Sequence, residues 1–149
     1  MTSNFVGKLS TTSAGYSSGV DLGIFTWKEV WREPVTPLGW PDVPPSEQEF
    51  TTDEGASLEI TITGETGPTV TSWSGVASWK ASIQAFITGM QYDESQSRYL
   101  AIYNGDGVWP INNTSSPIHV IIESFEPEIE AGSSPSCKYT LKCYQQVSY

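Results

Sequence analysis

Basic residues are scarce in this chain. Of 149 residues only 7 are Lys or Arg, against 17 Asp or Glu, which leaves a formal net charge of −10. A protein that grips phosphate backbones does so with Lys and Arg, so this balance argues against specific nucleic-acid binding. It suits a surface that stays soluble until assembly, or one past which DNA moves without sticking. Histidine is scarcer still. With His119 alone, no Ser/His/Asp constellation can be placed and two distant thiols do not complete a zinc site. No apolar run approaches the roughly 18 residues of a membrane span, and no charged-then-apolar leader opens the chain. The expectation is a soluble protein made in the cytoplasm, with no cofactor.

There are two cysteines, Cys137 and Cys143, in the run C-K-Y-T-L-K-C. The run alternates as a strand does, with Cys137, Tyr139, Leu141 and Cys143 on one face and Lys138, Thr140 and Lys142 on the other. Residues six apart on a straight strand are separated by about 20 Å, beyond disulfide reach, so both read as buried free thiols. Helical signal is confined to one stretch. From Ser72 to Met90, the residues Val76, Trp79, Ile83, Phe86, Ile87 and Met90 recur at spacings of three and four, which predicts a helix over about 73–89 laid on a sheet. Ser72 or Ser74 can cap its start, and Gly89 can end it.

The remainder reads as strands and loops. Residues 1–24 are rich in Ser, Thr and Gly with scattered apolar positions, and are expected to be an N-terminal arm rather than core. The β-rich domain then runs over 25–149. F-T-W-K-E-V-W at 25–31 is expected as a short strand that places Phe25, Trp27 and Glu29 on one face, against Thr26, Lys28 and Val30. Five prolines between Pro34 and Pro45 make 34–45 a long extended loop, whose Leu38 and Trp40 need burial on the domain, on another subunit, or in a ligand groove. A-S-L-E-I-T-I-T-G-E at 56–65 is a strand with Leu58, Ile60 and Ile62 facing inward. R-Y-L-A-I-Y-N carries apolar residues on both faces, as a central strand does, and N-G-D-G at 104–107 is a turn. A further strand at 118–125, the acidic turn E-P-E-I-E, and a last strand at 136–147 complete an antiparallel meander. The fold class is α+β, mainly β.

Chemistry is sparse. Glu126, Glu128 and Glu130 read as a solvated acidic turn, and neither Asn104/Asp106 nor Asp93/Glu94 has the spacing of a calcium loop. Asn112-Asn113-Thr114-Ser115 holds overlapping glycosylation acceptor patterns. Six Trp and seven Tyr favour contact surfaces, whether protein or sugar. Three functions fit these features: a structural subunit of an assembly, a carbohydrate-binding module using exposed Trp and Tyr, and a small hydrolase. The first is expected, and no enzyme.

Five segments carry a resemblance. S-L-E-I-T-I-T-G, W-K-A-S-I-Q-A-F, R-Y-L-A-I-Y-N, I-H-V-I-I-E-S-F-E-P-E-I-E-A-G and K-Y-T-L-K-C-Y-Q-Q together resemble bacteriophage tail proteins of the tube and baseplate-hub kind. The resemblance covers about 90 residues and carries over no catalytic residue. It implies an antiparallel β-sandwich or barrel-like sheet with a flanking helix. It also implies a virion tail subunit, in tube, baseplate or tail-completion position, that joins copies of itself and other tail proteins into a ring around a DNA channel. On that reading Trp27, Trp31, Leu38 and Trp40 are candidate subunit contacts, and Glu126, Glu128 and Glu130 are candidate channel-facing residues. Removing residues 1–20 is then expected to weaken assembly and spare the monomer.

Overall fold

A computed structural model describes residues 4–32, 36–38, 49–51, 57–67, 70–88, 98–111 and 115–146. The strands in chain order are β1 (Val6–Ser10), β2 (Val20–Asp21), β3 (Ile24–Arg32), β4 (Thr36–Leu38), β5 (Glu49–Thr51), β6 (Ser57–Glu65), β7 (Tyr99–Tyr103), β8 (Ile118–His119), β9 (Ile121–Glu128) and β10 (Lys138–Gln146). The helix α1 spans Trp73–Thr88, and a single 3-10 turn covers Tyr16–Ser18. Sheet A runs β2-β1-β7-β8 and sheet B runs β3-β6-β10-β9, every pairing antiparallel, while β4 and β5 pair with each other. The architecture is thus α+β and mainly β, with two four-stranded sheets and no closed barrel among the described residues.

Alternation decides which face of sheet B is buried. Leu58, Ile60 and Ile62 of β6 stand opposite Gln145, Cys143 and Leu141 of β10, and Leu58, Ile60, Ile62, Tyr139, Leu141 and Cys143 are all buried. Val76, Trp79, Ile83 and Phe86 of α1 close over this face, joining Leu9, Leu22, Leu100, Ile102, Ile118 and Val120 in one continuous cluster. Burial of so many branched side chains, each contributing roughly 1.5–3 kcal/mol, is the main source of stability. Ser72 starts the helix: its hydroxyl oxygen accepts from Gly75 N at 3.1 Å, and its carbonyl from Val76 N at 3.0 Å. At the other end Arg98 Nε donates to the Phe86 carbonyl at 2.6 Å, which satisfies a helix-terminal acceptor. Gly89, Met90, Asp93, Glu94 and Asn112 to Thr114 lie outside the described residues.

Four expectations are corrected. Residues 4–24, expected within a 1–24 arm, are not an arm: β1 lies inside sheet A between β2 and β7, and Leu9 and Leu22 are fully buried. The reason is pairing, because a strand in the middle of a sheet is held by two backbone ladders whatever its side-chain composition. Nor do the strands after the helix form a meander. β7 belongs to sheet A, and β10 inserts between β6 and β9. The single strand expected at 118–125 divides at Val120, whose N–H turns away to the Arg98 carbonyl at 2.9 Å, so that β8 joins one sheet and β9 the other. The acidic turn is likewise mostly strand, since β9 runs on through Glu128.

Buried polar atoms at the seam between the sheets are paired. Trp79 Nε1 donates to the Asp21 carbonyl at 2.6 Å, and the Tyr139 hydroxyl donates to the Leu22 carbonyl. Burial, with Asp21 close by, pushes the Tyr139 hydroxyl far above its ordinary range, so it stays a donor at every physiological pH. Tyr139→Phe leaves the buried Leu22 carbonyl without this donor. The expected loss is about 1–3 kcal/mol in urea denaturation, and a loss below about 0.5 kcal/mol would show that the bond contributes little.

Candidate assembly surface

Sheet edges come first, because an unpaired strand edge is the most direct way for one chain to meet another. Sheet A ends in β2 and β8, two residues each, too short to template a partner. Sheet B ends in β3 and β9, of nine and eight residues. β9 is blunted: Pro127 lacks a donor, and a register shift opposite Lys142 and Cys143 breaks its ladder. β3 carries no proline and runs in unbroken register from Ile24↔Glu65 to Arg32↔Ser57, with β6 as its one neighbour among the described residues. Its outer edge is the long regular one.

The outer face of sheet B is a lattice of polar side chains. Thr26, Thr63, Thr140 and Glu126 form one row across the four strands, and Ile24, Glu65, Lys138 and Glu128 the next. Lower down, Arg32 pairs with Glu59, and Lys142 reaches Glu59 at 3.6 Å and Glu123 at 4.0 Å. The Arg32 hydrogen bond is the main reason the Glu59 carboxyl sits below its usual range. Tyr144 beside this network is shifted upward, by burial first and then by its hydrogen bond to Glu123. A depression of about 520 Å³ lies over the upper rows, lined by Thr26, Thr63, Glu65, Glu126, Glu128 and Lys138. A second, of about 590 Å³, continues it past Glu130 and Ser133. Glu126, Glu128 and Glu130 therefore share one solvent-facing side, with Lys138 among them.

The four candidate contact residues are less uniform. Trp27 is half-buried on the inner face of β3, where its ring meets Phe5 at 5.4 Å and Phe25 at 6.0 Å. Trp31, on the same face, is 55% exposed. Leu38 ends β4, opposite Glu49, and Trp40 with most of the 34–45 loop lies outside the described residues. Between the two tryptophans stands a residue whose role the sequence reading left open. Glu29 accepts from Trp27 Nε1 at 3.1 Å and from Trp31 Nε1 at 3.2 Å, one indole on each carboxylate oxygen. An acid at an aromatic position of an alternating strand was the available signal.

His119 is exposed, with its ring 5.4 Å from that of Tyr99. Both thiols are free and buried, and burial pushes the Cys143 thiol to about 12, so neither is poised as a nucleophile. Asn104 spends its side-chain oxygen on the turn, accepting from Asp106 N and Val108 N, both at 3.0 Å. Among the described residues no three His, Cys, Asp or Glu side chains gather as a metal would need.

No protein-family model matches the chain, and no curated protein matches it. Solved structures do. Over 97% of its length the chain is similar to a chain in the tail of an empty GTA particle solved with C6 symmetry, 92% of which is covered, at 11% identity and a TM-score of 0.57. A chain from the virion of a native gene transfer agent particle is similar over 97% of this chain and 92% of that one, at 9% identity and a TM-score of 0.53. What is shared at such identity is the fold.

Proposed function

We propose that the chain is a structural, non-enzymatic subunit of a phage-like tail, assembling with copies of itself into a ring around a channel through which DNA passes. The observation that carries this is the likeness of fold over nearly the whole chain to chains of tail particles. The open edge of β3 supports it, since a subunit with one open and one blunted sheet edge is built for a directional contact. In the assembled tail, Trp27, Trp31, Leu38 and Trp40 are contact residues toward neighbouring tail proteins, and Glu126, Glu128 and Glu130 face the channel. There, carboxylates repel phosphate and so hold no passing strand.

Light scattering over a micromolar-to-millimolar concentration series, with negative-stain imaging of the same samples, tests the proposal. Discrete rings or tubes are the expected result. Because each copy carries a net charge of −10, their mutual repulsion is screened by salt, and association should strengthen between roughly 0.01 M and 1 M salt, as the screening length shortens from about 30 to 3 Å. A monomer at every concentration and salt level would overturn self-assembly.

A further inference from the structure

The paired hydrogen bonds to Glu29 use one lone pair on each of its carboxylate oxygens. An ionised carboxylate has about four acceptor sites, so two remain open to partners beyond the described residues. All seven Lys and Arg residues of the chain lie among the described residues, yet the ion pairs join Lys8 to Asp21, Arg32 to Glu59, and Lys142 to Glu59 and Glu123. None reaches Glu29. Among the described residues the carboxylate is thus fixed in place by two indoles, flanked by the exposed ring of Trp31, and without a cation.

We propose that Glu29, Trp27 and Trp31 form a clasp for an arginine side chain carried on an extended segment of another protein that lies along the open edge of β3. Each part of the arrangement suits a guanidinium. Its planar fork takes two acceptor positions at once, which an ammonium cannot do in parallel. Because the two indole N–H groups hold the carboxylate, it need not be ordered on binding, and little rotamer freedom is lost. The edge of β3, unpaired among the described residues, supplies backbone donors and acceptors for the segment that bears the arginine, so affinity comes from the main chain and selectivity from the clasp. The chain's own excess of 17 acids over 7 bases favours a basic partner over a second copy.

The probe is a short blocked peptide alternating Thr and Arg, compared with the same peptide carrying citrulline, which keeps the shape and loses the charge. It is titrated into the full chain while the indole N–H resonances are followed by NMR, those of Trp27 and Trp31 being identified from Trp27→Phe and Trp31→Phe. Both resonances are expected to move with the arginine peptide, with at least about tenfold weaker binding for citrulline and for Glu29→Gln. Glu29→Gln keeps the volume and one carbonyl acceptor, and Trp31→Phe alters an exposed ring, so that fold and clasp can be lost separately. Equal binding of the two peptides, or no movement at the two indoles, overturns the proposal. So does concentration-dependent broadening at these indoles without peptide, which would assign the clasp to a second copy. The comparison of arginine with citrulline does not depend on whether the chain forms rings.

Discussion

A chain lacking residues 1–20 is expected to lose cooperative unfolding altogether. β1 is paired on both sides, with Leu9 opposite Val20 of β2 and Leu100 of β7. Its removal strips β7 of one neighbour and uncovers Leu100 and Ile102. Leu9 goes, along with Phe5 from the Trp27 ring and Tyr16 from its edge contacts with Tyr103 and Trp109, both at 5.2 Å. At roughly 1.5–3 kcal/mol for each large apolar side chain, the loss rivals the whole 5–15 kcal/mol that separates a folded domain from its unfolded chain. Far-UV circular dichroism through a urea titration gives the answer. A sharp transition near that of the full chain would mean that sheet A is dispensable, and the stretch would revert to the appendage its composition suggests.

The second large effect is at the turn between β2 and β3, where the chain leaves sheet A for sheet B. Gly23 has φ +75°, and a Cβ there would lie 2.2 Å from the Glu65 carbonyl oxygen and 2.7 Å from Gly67 N. Gly107 has φ +79° with open space around it. Both positions charge an alanine for the left-handed backbone, about 1–2 kcal/mol, but Gly23 adds an overpacking cost of about 1–3 kcal/mol against backbone that cannot swing aside. Gly23→Ala should therefore lose about 2–5 kcal/mol by chemical denaturation and Gly107→Ala about 1–2 kcal/mol. Equal losses would locate the whole cost in φ and none in the contact with β6.

Why the first 24 residues misled a reading of the sequence is a matter of which side chains do the packing. Gly7 leaves space that the Phe25 ring fills, since a Cβ there would lie 2.8 Å from it. A glycine beside scattered Ser and Thr looks loose, and nothing local reveals an aromatic arriving from another sheet. By contrast α1, β6 and β10 were legible because each buries one face, and the buried face repeats at the period of its own backbone. The division at Val120 was not. I-H-V-I-I-E-S-F keeps its alternation across the break, with Ile118 and Val120 buried and Ile121 62% exposed, so the change of sheet leaves no mark in the pattern. For the surface, the three acids could be grouped from spacing alone. The holding of Glu29 by two indoles required knowing that positions 27, 29 and 31 share a face and that nothing basic covers them.

The position of β10 also orders events in time. It is the last strand among the described residues and lies between β6 and β9, with Gln146 paired to Ser57 and Tyr144 to Ile121. While the chain is being synthesised, β6 and β9 wait with their facing edges unsatisfied, because no earlier strand can bridge them. Pairings this distant in sequence close slowly, and the exposed edges in the interval are where misassembly begins. The edge of β3 becomes part of a rigid sheet only once β10 is seated.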